Sequence, residues 1–390
     1  MSVNRRHFLS ALSAAPAFVP SSAFGANDRV SYALIASGGR GRYLNRIFTK
    51  LGAECAAVCD VYQPHIDLAL KDTPGARTYG DYRELLEKEK SIDAVVIASP
   101  DHQHFPMLQA ALGAKRDVYL EKPLSKSLEQ SVEMIKAVRA SKQVVQIGMQ
   151  RRSAPAIHKA KALVDDGVLG RITLVKPQWH WNISAPLDNS PLPGKLDWTR
   201  FLGSAPKRAL EPMRFRKWRY FKDYAGGNMT DQGTHLMDVV QWFTESGPPR
   251  SAVCQGYVAK MEGAEHPDVF SAVFEFPKFM ATWTLDYANS YDNGWSITFM
   301  GDRGTMILND AGYRVWAEPW KKNPDPIHEE QAPVPVETHV QNFFDCMKSR
   351  KDPNCTVEIA ANAVAGPHLA NLAMFGGRRV QLEAGTFRTS

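Results

Sequence analysis

Apolar runs separated by helix-like segments define the first part of the chain. Short, β-rich apolar runs lie at residues 29–36, 55–59, 92–98, 117–120 and 143–148. Between the first two runs, apolar side chains recur at helical spacing at Tyr43, Leu44, Ile47, Phe48 and Leu51. Strands that alternate with helices predict a parallel sheet covered on both faces, so residues 27–150 are predicted to form an α/β domain of the Rossmann type.

A glycine-rich turn follows the first predicted strand directly and contains Ser37, Gly38, Arg40 and Gly41. Gly38 permits a pyrophosphate to approach the backbone, and Gly41 permits the next helix to pack closely on the strand. Asp60 ends the second strand, 19 residues after Gly41, near the ~20 expected for an acid that binds the ribose hydroxyls. This order predicts a dinucleotide site, and the acid favours NAD over NADP because it repels a 2′-phosphate.

Polar loops follow three further predicted strands, at the edge where open α/β sheets bind their ligands. These loops place seven residues in the predicted cofactor site: Ser99, Pro100, His102, His104, Glu121, Lys122 and Gln150. A metal cluster of Asp101, His102 and His104 is the alternative for one loop. Because no further ligand lies nearby at a recognisable spacing, no metal is predicted.

The pattern changes in residues 151–390, where strands follow one another without intervening helices. Alternating stretches lie at residues 171–181, 252–259, 269–276, 281–287, 295–300 and 304–308. They predict an α+β domain with a large open, mainly antiparallel sheet. A partner subunit is the usual cover for such an open face, so a homo-oligomer is expected. Helical patterns at residues 340–347 and 357–374 are predicted to pack back on the first domain.

Two polar residues precede a helical stripe formed by Leu236, Val239, Val240 and Phe243. Asp231 and His235 are four residues apart, so they share one face of a helix. An imidazole can exchange a proton with a sugar hydroxyl near neutral pH. The alternative is a helix-capping aspartate beside a histidine packed in the core.

These motifs resemble those of the glucose–fructose oxidoreductase, inositol dehydrogenase and rhizopine catabolism (Gfo/Idh/MocA) oxidoreductases. The likeness runs from about Val30 to the C-terminus. Its markers are the glycine turn, Asp60, residues 99–104, Glu121-Lys122-Pro123 and Asp231-Gln232-Gly233-Thr234-His235. The family pattern often has Gly where this chain has Ala36 and Asn where it has Asp101.

The resemblance implies a reaction and a role for each catalytic residue. His235 is expected to act as general acid and base on a substrate hydroxyl, and Lys122 to contact that hydroxyl and the cofactor. Asp231 is expected to position the substrate or to tune the pair. Hydride would pass between a sugar ring carbon and the nicotinamide of NAD.

An aromatic and basic segment at residues 179–224 is a candidate for substrate binding. Trp181, Trp218 and Tyr220 offer flat faces for sugar rings, and Arg151 lies on the ligand side of the last Rossmann strand. A loop folded on its own aromatic side chains is the alternative. The net charge of +6 is spread over 390 residues with no basic motif, which argues against nucleic acid as a partner.

The N-terminus predicts export. Arg5-Arg6-His7-Phe8-Leu9 is close to the twin-arginine signal, and an apolar, Ala-rich stretch follows it. That stretch is too short for a stable membrane span, so residues 1–26 are expected to be a signal peptide read by the twin-arginine (Tat) export machinery. The protein is therefore expected in the periplasm, where an NAD enzyme must hold its cofactor tightly and regenerate it in each cycle.

Three functions remain open from the sequence. The first is a sugar oxidoreductase with bound NAD, and the second is an NAD-dependent glycosidase or lyase with transient oxidation and no net redox change. The third is a non-catalytic sugar or nucleotide sensor, which would have no need of Lys122 and His235. The five cysteines form no C-x-x-C pair and are expected to be buried without a disulfide framework.

Overall fold

A computed structural model describes residues 29–383 and 385–390 of the chain. The expected signal peptide at residues 1–26 lies outside this described part. Two domains follow one another, and each contains one sheet. Within the described residues, no helix is long and apolar enough to cross a membrane.

The first domain alternates strands and helices, and its six strands run parallel in the order β3-β2-β1-β4-β5-β6. The elements are β1 Ser31–Ile35, α1 Gly39–Lys50, β2 Glu54–Cys59, α2 Gln63–Asp72, β3 Arg77–Tyr79, α3 Tyr82–Lys88, β4 Ala94–Ile97, α4 His104–Gly113, β5 Asp117–Leu120, α5 Leu128–Arg139 and β6 Val145–Ile147. The Rossmann prediction is confirmed. β3 is the one strand of this sheet that the sequence did not predict, because its three residues are mostly exposed and lack an apolar run.

Helices cover both faces of this sheet, so its central strands are apolar on both sides. All four residues of β4 and all four of β5 are buried. Two C-terminal helices, α11 Glu337–Ser349 and α12 Val357–Gly376, complete the cover. Phe343 and Phe344 of α11 pack with Phe48 and Tyr119 on one side. Residues of α12 join the core on the other side, which confirms that both helices pack back on the first domain.

The second domain is built on a nine-stranded sheet in the order β14-β13-β12-β11-β7-β10-β9-β8-β15. Its further elements are α6 Pro155–Asp165, β7 Ile172–His180, α7 Trp198–Leu202, α8 Pro212–Arg216, α9 Gly227–Asp231, α10 Gly233–Thr244, β8 Ser251–Tyr257, β9 Val269–Glu275, β10 Met280–Asp286, β11 Gly294–Gly301, β12 Gly304–Asn309, β13 Gly312–Ala317, β14 His328–Gln331 and β15 Val380–Gln381. Neighbours are antiparallel except β7 and β10, which pair in parallel.

The two faces of the nine-stranded sheet differ. Trp283, Phe274 and Phe299 point inward and are fully buried against a core that includes residues of α10 and α12. The opposite face carries exposed hydrophobic side chains, among them Tyr257 and Met280. This asymmetry is that of an open sheet. All five cysteines are buried as free thiols.

The aromatic segment between β7 and α9 contains two short helices, α7 and α8. Its side chains form a compact cluster in which Phe201, Phe215, Phe221 and Tyr224 pack against Tyr62 of the first domain. The segment therefore folds on its own aromatic residues, and it also joins the two domains.

Candidate functional site

The glycine turn forms a tight link between β1 and α1. Ala36 has a φ of 68°, a conformation that glycine adopts more easily than alanine. A Cβ on Gly41 would lie 2.1 Å from the Ala36 carbonyl oxygen, so only glycine fits there. Gly38 precedes α1 and supplies no side-chain cap. The first N–H groups of α1 are thus left to bind an anion.

Asp60 fixes the shape of the turn from the end of β2. Its Oδ2 accepts hydrogen bonds from the backbone N of Ser37 at 2.7 Å and from the Ser37 hydroxyl at 3.3 Å. Its Oδ1 accepts from the backbone N of Tyr62 at 2.9 Å, and Nδ1 of His65 lies 3.3 Å from Oδ2. The carboxylate is thereby held in place before any ribose reaches it.

A cavity of about 790 Å³, here called the nucleotide cavity, opens beside this turn. First-domain residues of its lining include Gly38, Asp60, Ser99 and Pro100, and second-domain residues include Phe215. It therefore lies between the domains, at the carboxyl edge of the parallel sheet, where a dinucleotide binds this fold.

A smaller cavity of about 170 Å³, here called the reactive cavity, lies beside it. Its lining is mostly charged or polar: Arg40, Ala98, Ser99, Glu121, Lys122, Gln150, Trp218, Arg219 and His235. It brings together predicted catalytic residues from both domains. Trp218, Arg219 and Ser99 line both cavities, so the two cavities are adjacent.

Lys122 and Asp231 meet across the domain boundary. Nζ of Lys122 donates to Oδ1 of Asp231 at 2.5 Å and to its backbone oxygen at 2.9 Å. Nε of Arg219 donates to Oδ2 of the same carboxylate at 3.1 Å. Burial alone would raise the pKa of Asp231, but Lys122 and Arg219 hold that pKa below the ordinary aspartate range. Asp231 is thus an ionised residue between two cations, which differs from a helix-capping role.

His235 lies one turn further along, near the start of α10, and only 7% of it is exposed. Its Nδ1 is buried and has no hydrogen-bond partner. Burial lowers the pKa of His235 well below its ordinary value, and the positive charges of Lys122 and Arg151 lower that pKa further. The imidazole is therefore neutral at pH 7, the form that can accept a proton.

A second ion pair borders the reactive cavity. Nε of Arg40 lies 2.7 Å from Oε1 of Glu121. A Cβ on Gly148 would come within 2.8 Å of the same oxygen, so a glycine at the end of β6 leaves room for this carboxylate. Glu121 thereby holds the side chain of Arg40 at the edge of the reactive cavity.

Asp101, where the family pattern often has Asn, is buried in the loop after β4. Burial, with a smaller contribution from the Asp231 carboxylate, raises the pKa of Asp101 to about 7. Near neutral pH this side chain is therefore partly protonated, and its protonated form is uncharged like asparagine.

His102 and His104, predicted to bind the cofactor, lie behind the cavity walls. Nε2 of His102 contacts the backbone oxygen of Phe201 at 2.8 Å. The two ring nitrogens of His104 contact the backbone oxygens of Pro123 and Ser99 at 2.8 and 3.0 Å. Burial lowers the pKa of His102 to about 4 and also lowers that of His104. Both histidines support loops that line the site. Among the described residues, no group of three or more His, Cys, Asp or Glu side chains could hold a metal ion.

The four predicted substrate residues are not all in one place. Trp218 lines both cavities, whereas Trp181 stacks on Tyr287 and lines neither. Tyr220 is buried, with its hydroxyl 3.4 Å from Nδ2 of Asn228. Arg151 is buried against Trp295, 4.1 Å from the ring centre, and its Nε has no partner.

Sequence reasoning missed two residues of the site. Arg219 reaches Asp231 from a segment without a recognisable motif, and His65 reaches Asp60 from the start of α2. The only available signal for Arg219 was its place next to Trp218 in the basic aromatic segment.

The residues present fit NAD. The uncapped start of α1 suits its pyrophosphate, and Asp60 suits a ribose. Three buried polar atoms around the reactive cavity lack partners, namely Nη2 of Arg40, Oε1 of Gln150 and Nδ1 of His235. Buried polar groups are normally paired, so these atoms are suited to a bound ligand. Fold and site together define a two-domain dinucleotide-binding protein.

Comparison with known proteins agrees with this class. Residues 31–149 match the family profile "Oxidoreductase family, NAD-binding Rossmann fold", and residues 157–307 match "GFO/IDH/MocA C-terminal domain". The chain belongs to the Gfo/Idh/MocA oxidoreductase family, and its first domain is an NAD-binding domain.

Relatives and solved structures support the same placement. The chain is 31% identical over 141 residues to inositol 2-dehydrogenase/D-chiro-inositol 3-dehydrogenase of Lactiplantibacillus plantarum, covering 35% of this chain and 39% of that one. It is 30% identical over 161 residues to inositol 2-dehydrogenase of Rubrobacter xylanophilus, covering 40% and 46%. The match thus spans less than half of these curated relatives.

Among solved structures, a levoglucosan dehydrogenase complexed with NADH and levoglucosan aligns with a TM-score of 0.72 and 17% identity, over 90% of this chain and 99% of that one. The WlbA dehydrogenase of Bordetella pertussis, in complex with NADH and UDP-GlcNAcA, aligns with a TM-score of 0.70 and 19% identity, over 91% and 99%. At these identities the likeness establishes the fold.

Proposed function

We propose that the protein is an NAD-dependent oxidoreductase that transfers hydride to or from a ring carbon of a sugar or sugar derivative. The observation that carries this proposal is that Asp231 joins Lys122 to Arg219, and that both of these cations line the reactive cavity together with a neutral His235. A sensor of sugars would have no need for a proton acceptor next to an ion pair at the cofactor edge.

Each residue has a chemical task in this proposal. Neutral His235, which lines the reactive cavity, accepts the proton of the substrate hydroxyl. Lys122 donates a hydrogen bond to the oxygen on which negative charge develops. Asp231 holds the ammonium of Lys122 in position and balances its charge. When bound, NAD supplies the hydride acceptor, with its pyrophosphate at the start of α1 and a ribose at Asp60.

A carbohydrate suits the groups that face the reactive cavity. Trp218 offers an aromatic face, and Arg219, Gln150 and Lys122 offer polar groups for hydroxyls. Inositol dehydrogenases and a levoglucosan dehydrogenase are among the relatives and structures similar to this chain. Their substrates are polyhydroxylated rings, and this supports the same chemical class here.

We further propose that the protein works in the periplasm after export by the Tat machinery. The Arg5-Arg6 motif supports this location. A second copy of the chain is proposed to cover the open sheet face, since Val253, Tyr257, Met280 and Met300 are exposed there. Sedimentation of the mature protein tests the assembly, and cell fractionation of the full chain tests the location.

The decisive experiment joins nucleotide content to turnover. The exported protein is purified and denatured, and the released nucleotide is measured; native protein is assayed on a panel of sugars, polyols and glycosides. We expect NAD in the extract and oxidation or reduction of at least one sugar, with His235→Ala retaining NAD but losing turnover. Hydrolysis or elimination of a glycoside without consumption of an electron acceptor would replace this proposal with the glycosidase or lyase. Equal turnover by His235→Ala would overturn the assigned roles.

A further inference from the structure

Part of the aromatic segment crosses from the second domain over the nucleotide cavity. Residues 192–219 are here called the strap. They line this cavity through residues that include Pro193, Arg200, Phe201, Gly203, Trp218 and Arg219. Residues on the opposite wall come from the segments after β2 and β3 in the first domain, with Tyr62 and Asp81 in the loops and His65 and Arg83 in the helices that follow. The adenosine side of the cavity is therefore enclosed by both domains.

One end of the strap is hydrogen-bonded to the loop after β2. The hydroxyl of Tyr62 donates to the backbone oxygen of Pro193. The backbone N of Gln63 donates to the oxygen of Lys195 at 2.9 Å, and the N of Asp197 donates to the oxygen of Val61 at 2.8 Å. This segment directly follows Asp60, so the strap is fastened next to the predicted ribose acid.

The middle of the strap is bonded to the loop after β4. The backbone oxygen of Phe201 is contacted by Nε2 of His102 at 2.8 Å and accepts from Nε2 of Gln103 at 3.0 Å. The strap also reaches the loop after β3, where Nε of Arg200 donates to Oδ2 of Asp81 at 3.3 Å. These contacts give His102 and Gln103 a task within a loop that sequence reasoning assigned to the cofactor.

Two glycines allow the strap to approach the first domain this closely. Gly194 has a φ of 77°, and a Cβ there would lie 2.6 Å from Cγ of Pro64. Gly203 has a φ of 54°, and a Cβ there would lie 2.1 Å from Nε2 of Gln103. At Gly194 an added side chain meets the rigid Pro64 ring, whereas at Gly203 it meets the flexible end of Gln103, so Gly194 is the more sensitive position.

The far end of the strap reaches the catalytic residues. The guanidinium of Arg219 lies 4.3 Å from the ring centre of Trp218, and its Nε is bonded to Asp231. Both residues line the nucleotide cavity and the reactive cavity. The strap therefore runs from the predicted ribose end to the catalytic carboxylate.

We propose that the strap retains NAD between turnovers by closing the adenosine side of the nucleotide cavity, with Arg219 joining this closure to the catalytic Asp231. Exchange of the nucleotide requires the strap to leave both sets of anchors, so it is slow compared with turnover. That retained NAD is useful to the protein rests on the proposed function. The closure itself is inferred from the contacts of the strap alone.

The test measures exchange of bound NAD. Protein loaded with isotopically labelled NAD is mixed with excess unlabelled NAD, and the label remaining on the protein is followed over time. Gly194→Ala introduces the Pro64 clash, whereas Gly247→Ala is the matched control, since Gly247 has a φ of 64° and nothing within 4 Å of an added Cβ. We expect exchange at least ~10-fold faster in Gly194→Ala, with Gly247→Ala close to wild type. Equal rates in folded Gly194→Ala and wild type would overturn the proposal.

Tyr62→Phe removes one anchor without altering the backbone and serves if Gly194→Ala does not fold. It should also speed exchange and expose the strap, which contains Lys195, Arg200, Lys207, Arg208, Arg214 and Arg216, to trypsin. NAD should slow cleavage within the strap of the wild-type protein, and cleavage unaffected by NAD would contradict closure. Slow NAD exchange without turnover of any carbohydrate would support retention by the strap and refute the proposed function. Rapid NAD exchange with carbohydrate turnover would refute retention and support the proposed function.

Discussion

The two cavities are neighbours, yet they are held by different kinds of interaction. The reactive cavity depends on charged side chains, with Lys122 and Arg219 sharing Asp231 and with Arg40 paired to Glu121. The nucleotide cavity depends on backbone shape, through the glycine turn and the anchored strap. We therefore expect charged side chains to control turnover in the reactive cavity, and close backbone contacts to control nucleotide binding in the nucleotide cavity. Substitutions on the two sides should separate these properties.

The largest expected effect breaks the charged side alone. Lys122→Ala removes the proposed donor to the reacting oxygen and one of the two cations on Asp231, so we expect turnover to fall by about 10²–10⁴-fold. Bound NAD should remain, because the strap and glycine turn are unchanged. Steady-state kinetics together with nucleotide content measure both. Lys136→Ala, on the exposed face of α5, is the control, and loss of NAD with turnover would show that the two sides are not separable.

The next effect breaks the nucleotide side. Gly41→Ala places a Cβ 2.1 Å from the Ala36 carbonyl oxygen, so the turn must shift, at a cost of about 1–3 kcal/mol in stability and with weakened NAD binding. Gly39→Ala is the matched control in the same helical turn, because nothing lies within 4 Å of its added Cβ. Thermal unfolding and NAD titration measure the pair, and equal behaviour of both variants would contradict the role of close packing.

A pH-dependent effect sharpens the comparison within the charged side. The pKa of Asp101 is raised from 3.8 in its ordinary state to about 7 in the folded protein. Between pH 3.8 and about 7 the folded state therefore binds more protons at Asp101 than the unfolded state does. The free energy of unfolding that this proton contributes is fully present at low pH and is lost as the pH rises through about 7. Asp101→Asn removes this titration. Its Tm relative to wild type should therefore be higher at pH 8 than at pH 5, by roughly 2–4 °C. A Tm difference independent of pH would contradict this.

The smallest effect concerns the glycine turn itself. Ala36 holds a φ of 68° where the family pattern often has glycine, and a left-handed alanine is strained by about 1 kcal/mol. Ala36→Gly relieves this strain but gives the unfolded chain more freedom. We expect a net gain in unfolding free energy of ~0.5 kcal/mol, measured by denaturant unfolding. A clear loss would mean that the Ala36 methyl group contributes packing that outweighs the strain.

Local patterns predicted much of the fold, because strands of the Rossmann domain and the glycine turn are encoded by consecutive residues. The NAD-binding domain, the mainly antiparallel second sheet and the family are confirmed. The parallel pairing of β7 with β10 was not predictable, since it joins residues about a hundred positions apart. For the same reason, the sequence placed Asp231 and His235 on one helix face but could not show that the hydrogen bonds of Asp231 go to Lys122 and Arg219. The catalytic roles themselves stay predictions.

The order of strands has a consequence for how the chain acquires its structure. β7 lies in the middle of the second sheet, but its neighbours β10 and β11 are synthesised about a hundred residues later. The sheet of the first domain is likewise covered only after α11 and α12 have been synthesised. Neither core is complete before α11 and α12 have been synthesised, so both depend on contacts of long sequence separation, which form slowly. A fragment ending at residue 150 would therefore leave uncovered the apolar surface of the first domain that α11 and α12 bury.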